Sequence, residues 1–140
     1  MDDILGARMS EENVERVRRI VQASQRGDWE TALSGYAAAA VLDQTRMPDG
    51  GVYHGRAGVR DFYAHWFGAW EELQIEPEQI IDAGDDDVLV IVRIQGRGRE
   101  SRANVAMRAA DVMTLEGGEV IRQVGYPVAS EALAALGRPG

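Results

Sequence analysis

The sequence contains no cysteine. Disulfides, thiolate nucleophiles and cysteine-ligated metals are therefore excluded together. Proline is scarce, and no linker, internal repeat or low-complexity segment interrupts the chain. No apolar run approaches the roughly 20 residues that a bilayer-spanning helix needs. The opening residues, Met1-Asp2-Asp3-Ile4-Leu5-Gly6, are acidic and lack the apolar stretch of a signal peptide. These features lead to the expectation of a soluble, cytoplasmic protein with no membrane partner. The formal net charge is −8, which argues against nucleic acid as a partner, because phosphate binding requires basic patches. One locally basic stretch, Arg97 to Arg102, reads as a hairpin tip. Gly96-Arg97-Gly98 is no dinucleotide loop, since it joins two antiparallel strands rather than a strand to a helix, and no cofactor is expected. His54 and His65, with no third nitrogen or suitable carboxylate at metal-ligand spacing, make no metal site.

What is present suits a single domain spanning residues 1–140, with 1–9 as a flexible lead. The 140 residues are 45% hydrophobic, enough for a real core. Ser10 is the expected cap of a first helix, in which Val14, Val17, Ile20 and Val21 form an apolar stripe at helical spacing. Gly27 ends that helix in a left-handed conformation, and Asp28 caps a short second one through Trp29, Ala32 and Leu33. A third helix follows Gly55, with Val59, Phe62, Tyr63, Trp66, Phe67, Trp70 and Leu73 on one broad face.

From Gln74 the pattern becomes that of strands. Val88 to Ile94 is a nearly continuous apolar run, expected of a central strand covered on both faces. Hairpins follow at Gly96–Arg102 and Glu116–Glu119, and Val120 to Val128 is the last strand. Ser130 is the expected cap of a terminal helix that Gly137 and Pro139 stop. Residues 36–44 are ambiguous: four alanines favour helix, whereas Val41-Leu42 running into Pro48-Asp49-Gly50-Gly51 favours a strand. Helices first and strands after is an α+β plan.

Four motifs carry a resemblance to a known family. They are Arg26-Gly27-Asp28-Trp29, Tyr53-His54-Gly55-Arg56-Ala57-Gly58-Val59, Ile81-Asp82-Ala83-Gly84-Asp85, and Met113 through Ile121 around the last hairpin. In this order the chain resembles the SnoaL-like branch of the nuclear-transport-factor-2-like (NTF2-like) superfamily. The resemblance implies a cone: a strongly bent, mostly antiparallel sheet wrapped around the N-terminal helices and enclosing a central hydrophobic pocket. It also implies that the alanine-rich stretch is a strand. The outer side of the sheet, bearing Val112 and Ile121, would then leave apolar surface uncovered, from which a homodimer is expected.

Superfamily members include steroid isomerases, polyketide cyclases and epoxide hydrolases, so function must be read from the site. Asp111 lies in the apolar segment Ala109-Ala110-Asp111-Val112-Met113, where a carboxylate must find partners or hold its proton. Ketosteroid isomerase resembles this segment, and there the aspartate is a neutral acid that donates to an oxyanion. The other reading is a structural aspartate paired with Arg93, Arg122 or a backbone amide. Tyr36 and Tyr63 match family tyrosines, but the oxyanion tyrosine of the first helix falls at Ile20. The general-base aspartate falls at Gln44; Asp43 takes that role only if a bulge shifts the strand, because one residue of slip reverses a side chain. The acids of limonene epoxide hydrolase fall at Gln95 and Gly125, which rejects that chemistry. Arg93, a lone cation in an apolar run, either binds a ligand or neutralises Asp111.

The expected site therefore has Asp111 and Asp43 as acid and base. Tyr36, Tyr63, Trp66, Arg93, Met107 and Tyr126 are expected to touch a small hydrophobic ligand. The resemblance implies an isomerase, cyclase or lyase working by proton transfer on a hydrophobic carbonyl compound. The alternative is a non-catalytic binding or dimerisation domain.

Overall fold

A computed structural model of the protein describes residues 2–48 and 50–137. Helix α1 (Asp2–Gln25) leads into α2 (Trp29–Ser34), β1 (Tyr36–Asp43), β2 (Val52–His54) and α3 (Gly55–Gly68). Four strands follow, β3 (Trp70–Gly84), β4 (Asp87–Gly98), β5 (Asn104–Glu116) and β6 (Glu119–Tyr126), and α4 (Ala129–Ala135) closes the chain. The six strands form one curved, mixed sheet in the order β2-β1-β6-β5-β4-β3. Every neighbouring pair is antiparallel except β1 with β6. This is the α+β cone that the sequence resemblance implied, with the alanine-rich stretch paired as β1.

Curvature follows from breaks in register. β3 slips against β4 between Glu71 and Gln74 and again between Pro77 and Gln79, and β6 carries an extra residue opposite Thr114–Leu115. Such bulges bend and twist a strand. Pro77 is tolerated because β3 is an edge strand, where a missing N–H breaks no central ladder.

On the concave side, Val17, Ile20 and Val21 of α1, Leu33 of α2 and Val59 of α3 pack against Leu42, Val90, Val92 and Leu115 of the sheet. On the convex side α4 lays Ala132 and Leu133 over Leu89, Ala110, Val112 and Val124. β4, one strand in from the β3 edge rather than central as its apolar run suggested, is covered on both faces over Leu89–Ile91. Val112 is only 7% exposed, because α4 covers it, so it gives no argument for a dimer. Among the described residues, no helix is long and apolar enough to cross a membrane.

Several boundaries differ from the sequence-based reading. Ser10 lies inside α1, which begins at Asp2, since Ala7, Arg8 and Met9 favour continued helix. Ser130 lies within α4, whose cap position is Val128 with no side-chain hydrogen bond. Trp70 and Leu73 belong to β3 rather than to α3. Their half-buried side chains pack over Gly96 of β4, where a Cβ would stand 3.2 Å from Leu73 Cδ1 and 3.4 Å from Trp70 Cε3. Arg99 pins the switch by donating to the carbonyls of Gly68 and Trp70, both at 3.0 Å, which satisfies groups a helix end leaves unpaired. The α1–α2 corner is as predicted: Gly27 has φ +73°, and Asp28 Oδ1 accepts from the Thr31 amide at 3.3 Å. Asp49 and Pro139 lie outside the described residues.

The concave core carries the fold, and single deletions there should show it. Leu42, 0% exposed, should cost about 2–5 kcal/mol as Leu42→Ala. Val52 in β2, 45% exposed, should change stability by no more than about 0.5 kcal/mol as Val52→Ala. Urea unfolding of the two variants against wild type measures the contrast.

Candidate active site

Between the helices and the concave face lies a cavity of about 130 Å³. α3 supplies one wall. Phe62, Tyr63, Trp66 and Phe67 recur on one side of that helix, as its period requires. Tyr63 is clamped by Trp29 of α2, stacked at 5.4 Å, and by Phe62 at 5.3 Å, while Phe67 meets Trp29 at 4.8 Å and Trp66 at 5.1 Å. β4 and β5 supply the floor through Val90, Val92 and Ile94, with Met107, Ala109, Asp111 and Met113 beside them. Gln44 and Met47, which follow β1, close one side, and Gln123 and Gly125 of β6 another.

Among the described residues, Asp111 is the one charged residue that lines the cavity. Its register partners are Val90 on β4 and Gly125 on β6. Gln123 Nε2 donates to Asp111 Oδ1 at 3.2 Å and to the Tyr63 hydroxyl at 3.0 Å. Tyr36 donates to Gln123 Oε1 at 2.5 Å from beneath the site. Burial pushes the Asp111 carboxyl up to about 6, while the amides of Gln123 and Gln44, which favour the ionised form, hold it from rising further. Burial, and then the Asp111 charge, push Tyr63 up to about 12. Tyr36 is driven well above the ordinary phenol value, first by burial and then by its neighbours Tyr63 and Asp111.

Gly125 makes this arrangement possible. A Cβ at that position would stand 2.5 Å from Gln44 Nε2, so only glycine lets the Gln44 side chain lie across β6 toward Asp111. Both amides are almost fully enclosed, Gln44 at 8% and Gln123 at 2% exposure. Among the described residues no buried polar side-chain atom lacks a partner.

The structure thus brings together Asp111, Tyr63, Trp66 and Met107 of the predicted set. Tyr126 borders the cavity too, although it also packs in the outer cluster, with the Arg46 guanidinium 5.0 Å from its ring centroid. Tyr36 stands one step back, touching Gln123 rather than the cavity.

Two predicted site residues are elsewhere. Asp43 does not line the cavity; Gln44 does. The shift between β1 and β6 falls between Tyr36 and Val41, and the strand runs regularly through Asp43, so Asp43 keeps the outward side. There it accepts from the Thr45 hydroxyl at 2.6 Å and the Thr45 amide at 2.9 Å, and it pairs with Arg46 at 3.6 Å and Arg122 at 3.5 Å. Those two Thr45 hydrogen bonds, then the two guanidinium groups, hold its carboxyl below the ordinary value, the opposite of a base poised near neutrality.

Arg93 is exposed on the convex face. Val90, Val92 and Ile94 alternate with it, and its cross-strand partners are Arg108 and Glu76. An ion pair between Arg93 and Asp111 would have to pass through the sheet. His54 and His65 are exposed and lie outside the cavity lining. Among the described residues no three histidine, aspartate or glutamate side chains converge as a metal site.

Gln123 was missed by sequence reasoning, which offered Arg122 as the partner of Asp111. Counting back from the Glu116–Glu119 turn without a bulge would bring Arg122 opposite Met113, on the face of Asp111. The extra residue at Ile121 places Gln123 there instead.

A model of the SnoaL-like domain matches residues 17–123. No curated protein matches the chain by sequence. Among solved structures, an NTF2-like protein of Burkholderia thailandensis E264 superposes with a TM-score of 0.75 at 21% identity, covering 91% of this chain and 98% of that one. A candidate SnoaL-like polyketide cyclase of Jannaschia sp. CCS1 gives 0.74 at 19% identity, covering 93% and 94%. An NTF2-like protein of unknown function from Burkholderia pseudomallei K96243 gives 0.73 at 20%, covering 89% and 97%. At such identities the structural likeness establishes the fold and leaves the activity to the site. The family match spans most of the chain, and the protein belongs to the SnoaL-like family.

Proposed function

We propose that the protein catalyses proton transfer on a small hydrophobic carbonyl compound, as an isomerase, cyclase or lyase, with Asp111 taking and returning the proton. One observation carries this reading: a carboxylate titrating near 6 faces an apolar cavity beside a phenol in the same hydrogen-bond network. Perturbed carboxylates of this kind concentrate at functional sites. At neutral pH such a group is mostly ionised, so it acts as a base rather than as the neutral hydrogen-bond donor expected from ketosteroid isomerase. With a ketone bound, the α C–H bond breaks, its proton passes to Asp111, and its electron pair moves toward the carbonyl oxygen. Tyr63 stays protonated and donates a hydrogen bond to that oxygen as charge develops. Return of the proton to a different carbon completes an isomerisation. A candidate polyketide cyclase stands among the structural relatives, at 19% identity.

A second reading, a ligand-binding domain without chemistry, is favoured by the saturation of the polar network among the described residues. Solvent exchange separates the two. In D2O, wild type should speed deuterium incorporation at the α carbon of small cyclic and aryl ketones, followed by NMR. Asp111→Asn should reduce the rate by about 10²–10⁴-fold and Tyr63→Phe by about 10²-fold. The rate should rise with pH through about 6 and then level. Ketones that bind without exchanging faster than in buffer would leave the binding reading.

The same ionisation affects folding. The Asp111 carboxyl holds its proton more tightly when folded than its ordinary value of 3.8 allows. Between about pH 4 and 6 the folded state therefore binds more protons than the unfolded one, and this contribution to stability declines as pH rises through that window. The decline is on the order of 2–3 kcal/mol. Asp111→Asn should lack it, so the variant should gain on wild type between pH 4 and 7 in urea unfolding.

A further inference from the structure

Size and charge together narrow what this cavity accepts. Its volume is about 130 Å³, close to the ~150 Å³ apolar cavity that takes up one benzene molecule. The walls do not yield readily. Tyr63 and Phe67 are each held between other rings of the α2–α3 cluster, and the floor is the sheet at β4 and β5, backed by α4 on its other side over Leu89–Ile91. Enlarging the space would mean breaking aromatic contacts or moving the sheet, and close-packed interiors resist both.

Charge restricts the ligand independently of size. Among the described residues, none that lines the cavity is cationic. Arg46 and Arg122 are engaged by Asp43 outside the lining, and Arg93 stands on the opposite face of β4. An anionic ligand would meet a carboxylate of its own sign with nothing to offset it, in surroundings where like charges repel strongly.

We propose that the substrate is a single-ring ketone without negative charge, its ring seated against Tyr63 and Trp66 and its carbonyl end at Asp111 and Tyr63. This deepens the proton-transfer reading and rests on it for the word substrate, but the selectivity is a property of the cavity and can be measured by binding alone. Steroids and fused polycyclic ketones are larger than the cavity can enclose. Carboxylates of the same outline are excluded by charge.

Phenylacetone and phenylacetate test charge, because they share a ring, a methylene and a planar carbonyl group. Calorimetric titration at pH 8 should show phenylacetone binding at least about tenfold more tightly than phenylacetate. That gap should shrink toward unity in Asp111→Asn, whose fold is checked by circular dichroism. An androstene-3-one, carrying four fused rings, should show no saturable binding to wild type and no shift in its melting temperature. Equal affinity for the ketone and the carboxylate in wild type would overturn the charge argument. Binding of the steroid as tight as that of phenylacetone would overturn the size argument, while leaving catalysis by Asp111 intact. Phenylacetone that binds as expected but never exchanges its α protons would sink the catalytic reading and leave the selectivity standing.

Discussion

A single extra residue in β6 determines what stands beside Asp111. In the ladder between β5 and β6, Leu115 faces Val120 but Thr114 faces Arg122, so Ile121 is the residue without a partner. A slip of one position reverses every side chain beyond it. With the bulge, Gln123 turns inward to meet Asp111 and Tyr63, and Arg122 turns outward to meet Asp43. Without it the guanidinium would face the carboxylate and the cavity would hold an ion pair. The hydrogen-bond network, the lone charge in the lining and the displaced acidity of Asp111 all depend on that local irregularity.

The orientation of Gln123 is itself held from behind. Tyr36 donates to Oε1, which leaves Nε2 as the end that faces the carboxylate. Reversing the amide would break that bond and set an oxygen against Asp111, removing one of the two amides that favour its ionised form. Tyr36 is nearly inaccessible, at the start of β1 and against the core of α1 and α2. The fold's packing thus reaches the site through a tyrosine that does not itself line the cavity. Trp29 acts similarly on the other phenol, since its stacking on Tyr63 sets where that hydroxyl points.

The fold was legible in the sequence wherever one force dominated. The stripe of Val14, Val17, Ile20 and Val21 reads as one face of a helix, and Val88 to Ile94 reads as a strand, although only its Leu89–Ile91 part is covered on both faces and Arg93 is exposed. Asp111 was legible for the same reason, a charge in an apolar run. Residues 36–44 were ambiguous because alanine propensity and tertiary pairing disagree, and the pairing won. The boundary between α3 and β3 was hidden because Trp70 and Leu73 are apolar at helical spacing, while the contact that claims them is with Gly96, far along the chain. Asp43 and Arg93 were assigned to the pocket by type rather than by parity. Parity in a strand is set by bulges, and a bulge depends on long-range pairing that no local pattern records.

What distinguishes this site is that amides do the work a guanidinium could have done. An arginine beside Asp111 would satisfy it more strongly, but it would also hold the carboxyl low and leave it a poor base at neutral pH. Hydrogen bonds from neutral amides satisfy a carboxylate without supplying a charge. The pKa then settles between two opposing effects, burial pushing up and the amides holding back. The chain has 15 basic side chains, and among the described residues none lines the cavity. Arg46 and Arg122 are taken up by Asp43, and Arg93 is turned to the convex face. Keeping cations away from Asp111 leaves a buried acid that costs stability as it ionises. That same cost places its titration near neutrality, where it can accept a proton and release it again.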